Sequence, residues 1–234
     1  QGLVSFQSIP YGDYTLVETE APADYAATAP IAVSLHDGNP AISGGILSLG
    51  NITDTLKTGT VTFTKTDGNG TGLAGAVFVL KDAAGNPVGS PQTSGKDGQV
   101  TFTDVPYGDG YSITETKAPA DFGALDAPIT GIDLHAPAVT LKSVADSRLT
   151  GSISFTKVTG TGEPLAGAEF ILCGPDGNPV GSAQVSGRDG RVVFQDVPFR
   201  DGYTVREIKA PENYAIHGDF AVNLHTAAYD CGNV

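Results

Sequence analysis

Two lysines lie on the apolar face of predicted strands in this chain. Lys65 ends the segment GTVTFTK, in which apolar side chains alternate with threonine, so a two-residue period places its amine on the apolar face. Lys157 ends the matching segment GSISFTK. An unpaired ammonium is costly to bury, so both lysines need partners or a chemical use.

Three glutamates share the apolar face of a second kind of strand. Glu115 ends the alternating segment YSITE, and it lies 50 residues after Lys65 (115 − 65). Glu207 lies at the same distance after Lys157 (207 − 157). Glu18 occupies the matching position in the segment YTLVE. Constant separations are expected when both residue types hold set positions in one repeated fold.

An aspartate recurs on a third segment. ITDTLKTG aligns with VADSRLTG, which places Asp54 over Asp146, and each aspartate shares a face with an apolar residue two positions earlier. One complete set, Lys65, Glu115 and Asp146, is therefore predicted to face one core.

The residues alone leave two interpretations open. In the first, the lysine and the two acids form a buried ion network, although desolvation can exceed the Coulombic gain. In the second, burial lowers the pKa of an amine and raises that of a carboxyl, which favours neutral groups. A neutral Lys65 amine can attack the Asp146 carboxyl while Glu115 transfers protons, which expels water and leaves a side-chain amide.

The elements that must position these residues repeat along the chain. Matched stretches begin at Gly59 and Gly151, so the repeat length is 92 residues (151 − 59), which is typical of a domain. Short alternating segments, with 31 Gly and 15 Pro in 234 residues, predict an all-β chain. We expect the C-terminal part of a first repeat at 1–57, a complete second repeat at 58–149, and a third at 150–234 that lacks its last strand.

Only the second repeat is expected to contain the complete set. The first repeat has Glu18 and Asp54, and its lysine is expected upstream. The third has Lys157 and Glu207, and its acceptor is expected about two residues beyond Val234.

Composition excludes several classes of partner and activity. A net charge of −13 argues against nucleic acid and against an anionic membrane surface. We find no signal peptide and no apolar run long enough to cross a bilayer, so no membrane insertion is expected in this segment. Motifs of turnover enzymes, such as a P-loop or HExxH, do not occur, and no cofactor is expected.

Cysteines and histidines suggest structural roles. Cys173 and Cys231 both lie in the third repeat, and the sequence leaves open whether they form a disulfide or remain unpaired thiols. His36, His135 and His225 recur in SLHDG, DLHAP and NLHTA, so we interpret them as repeat architecture. Metal-ligand spacing does not occur, and no metal site is expected.

The ordered combination of TFTKTDGNGTGLAGAVFVL, DGQVTFTDVPYGDGYSITETKAP and a terminal Val-x-Asp strand resembles the Cna B-type (SpaA-like, prealbumin-like) domain of Gram-positive surface adhesins and pilins. The likeness spans essentially the whole chain. It implies tandem Ig-like, prealbumin-like Greek-key β-sandwiches. It also implies an isopeptide bond between Lys65 and Asp146 with Glu115 as catalyst, although the family more commonly uses Asn as the acceptor.

This resemblance predicts a structural stalk or fibre-shaft module of a bacterial cell-surface protein, rigidified by autocatalytic Lys–Asp isopeptide bonds. Such a protein would be extracellular, anchored to the cell wall or part of a fibre, and its only catalysis would be single-turnover self-crosslinking. Its partners would be neighbouring domains of the same chain and other fibre subunits. The alternative is an adhesin module that binds a host or matrix ligand through loops such as residues 118–129.

Overall fold

A computed structural model describes residues 2–234, so the first residue of the 1–57 repeat lies outside it. All regular structure in the described residues is β-strand, and they contain no helix that is long and apolar enough to cross a membrane. In the second and third repeats the strands assemble into two sheets each. This architecture confirms the predicted all-β sandwich class.

The first repeat contains short strands in small sheets. Its strands are β1 (Gly12–Leu16), β2 (Tyr25–Ala26), β3 (Ile31–Leu35), β4 (Ile42–Ser43), β5 (Ile46–Leu47) and β6 (Thr55–Leu56). Strand β1 pairs antiparallel with β3, β2 with β6, and β4 with β5. Large apolar side chains such as Tyr14 and Val17 remain exposed on this repeat.

The second repeat is a two-sheet sandwich. Its strands are β7 (Thr58–Asp67), β8 (Val77–Lys81), β9 (Gln92–Thr93), β10 (Gln99–Pro106), β11 (Gly108–Lys117), β12 (Ile129–Leu134), β13 (Ala138–Thr140) and β14 (Val144–Asp146). One sheet has the order β10-β7-β13, with β14 also paired to β7, and the other has the order β12-β11-β8-β9.

The third repeat follows the same plan. Its strands are β15 (Thr150–Thr156), β16 (Glu169–Cys173), β17 (Gln184–Val185), β18 (Arg191–Pro198), β19 (Arg200–Lys209), β20 (Phe220–Leu224) and β21 (Ala228–Asn233). Its sheets have the orders β18-β15-β21 and β17-β16-β19-β20. Strands β15, β16, β19 and β21 therefore correspond to β7, β8, β11 and β13.

Each sandwich encloses its own apolar core. In the second repeat the rings of Phe63 and Phe78 meet edge to face across the two sheets, with centroids 4.9 Å apart. Phe155 and Phe170 make the same contact in the third repeat at 4.8 Å. Such pairs contribute about 0.5–1.5 kcal/mol beyond their buried area. The predicted alternation produces this core, since the threonines at positions 60, 62 and 64 of β7 are more exposed than the buried Val61 and Phe63 between them.

The last strands run parallel to the first strand of the same sandwich. Val139 on β13 pairs with Val61 on β7, and Val144 on β14 pairs with Lys65. This pairing matters for function, because it brings the two ends of the repeat into one sheet.

The segments between successive repeats are hydrogen-bonded on both sides. The Lys57 amide donates to the Asp24 carbonyl at 2.7 Å, and the Lys57 carbonyl accepts from the Tyr107 amide at 2.9 Å. Leu149 repeats this arrangement. Its amide donates to the Asp121 carbonyl, and its carbonyl accepts from the Phe199 amide, both at 2.8 Å. The connections are therefore part of the β structure rather than free linkers.

Candidate cross-linking site

Lys65 is buried inside the second sandwich, with 0% of its side chain exposed. Its backbone amide donates to the Gly98 carbonyl at 2.7 Å, and its carbonyl accepts from the Leu73 amide at 2.9 Å. Gly98 has a φ of 79°, and a side chain there would collide with the Lys65 carbonyl oxygen. The glycine thus allows the turn that holds the end of β7 in place.

Glu115 approaches the lysine from the opposite sheet. It lies on β11 opposite Phe78 of β8, and its side chain is fully buried. Its Oε2 atom accepts a hydrogen bond from the Leu125 amide at 2.8 Å, which leaves Oε1 3.5 Å from Lys65 Nζ. The carboxyl group is therefore held by the backbone on one side and directed at the amine on the other.

Asp146 completes the set from the last strand. Strand β14 runs parallel to β7, and Asp146 Oδ1 contacts Lys65 Nζ inside the core. Among the described residues, Asp146 Oδ2 and Glu115 Oε1 have no hydrogen-bond partner although both are buried. Buried polar atoms are usually satisfied, so two unpaired carboxyl oxygens beside one amine mark this cluster as unusual.

Burial raises the pKa of Glu115 above its ordinary value. Desolvation is the largest cause, and the nearby Asp146 carboxylate adds to the rise. The hydrogen bond from Leu125 and the positive charge of Lys65 act in the opposite direction. Glu115 consequently keeps its proton to a higher pH than an ordinary glutamate, as a general acid requires.

Aromatic rings line the lysine pocket in the second and third sandwiches. Lys65 Nζ is 5.7 Å from the ring centroid of Phe78, and Lys157 Nζ is 5.8 Å from that of Phe170. These apolar walls keep water away from the amines.

The third repeat brings together two of the predicted groups. Lys157 Nζ lies 3.4 Å from Glu207 Oε2, and that oxygen also accepts from the His217 amide at 2.5 Å. Glu207 Oε1 has no partner among the described residues. Asn233 is exposed and pairs through its backbone with Thr156, so it does not take the place of an acceptor.

In the first repeat, the two predicted groups are not brought together. Glu18 Oε2 accepts from the Thr28 amide at 2.9 Å, and Glu18 and Asp54 are both only half-buried. No hydrogen bond or ion pair joins Glu18 to Asp54 within residues 2–234.

Sequence reasoning missed the backbone donor that orients each glutamate. In all three repeats the donor is the amide ten residues after the glutamate, contributed by Thr28, Leu125 and His217. The three side chains have nothing in common, because the hydrogen bond uses only the backbone. The constant spacing after each Glu-x-x-Ala-Pro phrase was the only available signal.

In the structure, Cys173 and Cys231 are not joined to each other, and both are free cysteines. Cys173 lies on β16 and Cys231 on β21, which belong to opposite sheets of the third sandwich. Cys231 packs against the core, and burial raises the pKa of its thiol. No group of three or more acidic, histidine or cysteine side chains within residues 2–234 is arranged to hold a metal ion.

Comparison with known proteins places this geometry in a family. The model of the SpaA prealbumin-like fold domain matches residues 1–44, 59–144 and 151–231. The second and third ranges begin 92 residues apart (151 − 59), as the sequence repeats do. A comparison with curated protein sequences found no match.

Similar proteins are also found among solved structures. The TIE protein of Bacillus anthracis matches 97% of this chain with a TM-score of 0.65 and 23% identity, and the chain spans 42% of that protein. A streptococcal ancillary pilin matches 96% of this chain and 76% of its own, with a TM-score of 0.38 and 20% identity. The shaft pilin SpaA of Lactobacillus rhamnosus GG matches 75% of this chain and 97% of its own, with a TM-score of 0.34 and 17% identity. Since the family model covers most of the sequence, the chain belongs to the SpaA family of prealbumin-like fold domains.

Proposed function

We propose that the second repeat closes an amide bond between Lys65 and Asp146, and that the chain is a stalk or fibre-shaft module of a bacterial cell-surface protein. The observation that carries this proposal is the contact of a fully buried Lys65 amine with the Asp146 carboxyl, beside Glu115. The amine comes from the first strand of the sandwich and the acid from its last.

The proposed reaction begins when the neutral Lys65 nitrogen attacks the carboxyl carbon of Asp146. A C–N bond forms, and the nitrogen gives one proton to one carboxyl oxygen of the protonated Glu115, while the proton on the other Glu115 oxygen passes to the hydroxyl group of the Asp146 carboxylic acid. That hydroxyl group leaves as water. Glu115 ends in its starting state, so one water molecule is lost for each bond.

Confinement makes this condensation favourable. Amide formation from a free acid is unfavourable in water, but partners held in contact can reach effective molarities of about 10⁵ M or more. The side chains of Lys65, Glu115 and Asp146 are all unexposed, which keeps out the water that would reverse the reaction. The same burial leaves no path for an external substrate, so the only catalysis proposed is a single self-crosslinking turnover.

The bond would make the repeat rigid. It would close a loop of 81 residues, for which the chain-entropy relation used for disulfides predicts about 4 to 5 kcal/mol of stabilisation. Because it joins adjacent parallel strands at the two ends of the repeat, tension would pass through covalent links rather than through the sandwich. The hydrogen-bonded connections at Lys57 and Leu149 would extend this stiffness along the array.

Membership of the SpaA family and the resemblance to Cna B-type modules support an extracellular location, anchored to the cell wall or part of a fibre. Neighbouring repeats and other fibre subunits are the proposed partners.

The adhesin alternative receives less support from the loop at residues 118–129. Phe122 of this loop is buried, and the Leu125 amide holds the carboxyl of Glu115. Asp121 contacts the third repeat through His225. These loop residues therefore make contacts within the chain rather than being free to bind a ligand. Saturable binding of the chain to a host glycan or matrix-protein array would favour the adhesin role.

Intact-mass spectrometry tests the cross-link. The unmodified chain should be lighter than its sequence mass by one water, and a Lys65–Asp146 branched peptide should appear after digestion. Lys65→Ala should restore the full sequence mass. Glu115→Gln should do the same or leave a slowly converting mixture, because glutamine cannot transfer the proton although its carbonyl can still accept from Leu125.

Lys157→Ala provides the matched control. It removes the equivalent lysine of a sandwich that contains no acceptor within the described residues, so the variant should keep the loss of one water. A full sequence mass in the folded, unmodified chain would refute the proposed bond.

A further inference from the structure

A histidine joins two carboxylates at the boundary between the first and second repeats. His135 Nε2 lies 2.8 Å from Asp109 Oδ1 of its own repeat, and His135 Nδ1 lies 2.9 Å from Asp24 Oδ2 of the preceding repeat. Asp24 lies in the loop that follows Ala-Pro and has a φ of 68°, so its side chain is presented from a left-handed turn.

The next boundary repeats this arrangement. His225 Nε2 lies 2.9 Å from Asp201 of its own repeat, and Nδ1 lies 2.7 Å from Asp121 of the second repeat. Asp121 has a φ of 66°, close to that of Asp24. Because the same contact recurs at two independent boundaries, it is a property of the repeat and not of one loop.

Hydrogen-bond chemistry determines the charge state that fits this geometry. A neutral imidazole has one N–H donor and one acceptor nitrogen, whereas the imidazolium ion has two donors. Carboxylate oxygens only accept. Both nitrogens of His135 face carboxylate oxygens, so only the protonated ring can donate to both, and a neutral ring would direct a lone pair at one of them.

Other charged groups around the two histidines belong to the strands and connections packed there. Near His135, Asp133 on β12 accepts from the Gly110 amide of β11, and Lys57 lies on the connection. Near His225, β20 has Asn223 in the equivalent role, while β19 contributes Arg200 and the connection contributes Arg148, which donates to the Phe199 carbonyl. Each ring nitrogen is nevertheless paired only with an aspartate.

We propose that each of these histidines is a pH-responsive clamp that locks one repeat onto the Asp-bearing loop of the repeat before it when the imidazole is protonated. The clamp acts between folded repeats, so it would operate whether or not Lys65 and Asp146 are joined. It would make the stiffness of the array depend on external pH.

The direction of the pH effect follows from the contacts. The pKa of His135 and that of His225 are both raised above the ordinary value of 6.5, chiefly by hydrogen bonds to their two aspartates. A raised pKa in the docked state means that the clamp contributes fully below about pH 6.5. Its contribution is lost as the pH rises through the raised pKa.

Histidine NMR titration of the full chain tests the clamp, with each boundary serving as the control for the other. Asp24→Asn should lower the titration midpoint of His135 and leave that of His225 unchanged. Asp121→Asn should have the reverse effect. Both aspartates are partly exposed and lie outside the sandwich cores, and asparagine has nearly the same shape, so both variants should fold. Midpoints that do not move, or that move equally at both boundaries, would overturn the proposal.

Backbone ¹⁵N relaxation provides the mechanical readout. At pH 5.5 the second and third repeats should tumble as one body, and at pH 8.5 their correlation times should separate. In the Asp121→Asn variant, the correlation times of the second and third repeats should change less between pH 5.5 and pH 8.5 than in the unmodified chain. If the correlation times of the two repeats relate to each other in the same way at both pH values in the unmodified chain, the histidine contact does not control the stiffness of the boundary.

Discussion

The second and third repeats share one scaffold, but within the described residues only the second has an acceptor for its lysine. Lys65 contacts both Glu115 and Asp146, whereas Lys157 contacts Glu207 alone. The distances from the amines to the underlying phenylalanine rings are nearly equal in the two repeats. The lysine and the glutamate are therefore positioned by the sandwich itself and do not depend on the acceptor.

The acceptor strand is positioned separately, by parallel pairing with the first strand. Val144 pairs with Lys65 in the second repeat. In the third repeat, the Val234 amide donates to the Thr156 carbonyl at 2.9 Å and its carbonyl accepts from the Val158 amide at 2.8 Å, so Val234 lies opposite Lys157. The same register therefore leads toward the lysine in both repeats.

The largest expected effect is a difference in how much each of the two lysines contributes to the stability of its repeat. Lys65→Ala should lower the free energy of unfolding of its repeat by about 4 to 5 kcal/mol more than Lys157→Ala lowers that of the third, because only the first change removes the proposed covalent loop closure. Differential scanning calorimetry with each repeat followed as a separate transition measures this difference. Equal losses of unfolding free energy in the two variants would mean that Lys65 forms no stabilising bond that Lys157 lacks.

Adding an acceptor carboxyl to the third repeat should allow Lys157 to form the same bond as is proposed for Lys65. An alanine and an aspartate added after Val234 would continue the register of Val144 to Asp146 and place a carboxyl beside Lys157. The extended chain should lose a second water, and the third repeat should gain up to about 4 to 5 kcal/mol. The extended chain that also carries Lys157→Ala should lose only one water molecule. A single water loss in the extended chain would show that Glu207 or its surroundings cannot support the reaction.

The smallest expected effect is one that the two repeats share. Ser94 Oγ accepts from the Ala76 amide at 3.0 Å, and Ser186 Oγ accepts from the Ala168 amide at 2.9 Å, both in buried positions. Alanine at either serine should cost about 1–3 kcal/mol, because a buried amide loses its acceptor. Chemical denaturation should find a loss in both repeats, somewhat larger at Ser186, because its hydroxyl also donates to the Leu165 carbonyl at 2.8 Å. A large loss at only one serine would show that the sandwiches differ away from the lysine site.

Several predictions followed from short-range pattern alone. A period of two assigns Lys65 and the apolar residues of β7 to one face, and the structure buries that whole face. The repeat length and the all-β class were likewise readable, because turns and alternation are local properties of the chain. The roles assigned to Lys65, Glu115 and Asp146 remain proposals, although the structure brings the three side chains together.

Other features depended on contacts between distant residues. His135 was interpreted as part of the repeat architecture, but its pairing with Asp24 joins residues 111 positions apart across two repeats. Cys173 and Cys231 lie in the same repeat, and only the sheet order places them on opposite sheets.

The sequence by itself determined which side chains face inward, since alternation in a strand is set by backbone geometry. It also determined that these side chains recur in equivalent positions, because the repeats keep their spacing. Only the tertiary structure decided which charges meet. Parallel pairing of β14 with β7 places Asp146 against Lys65, and the docking of successive repeats places Asp24 against His135. Both are long-range contacts, which no local pattern encodes.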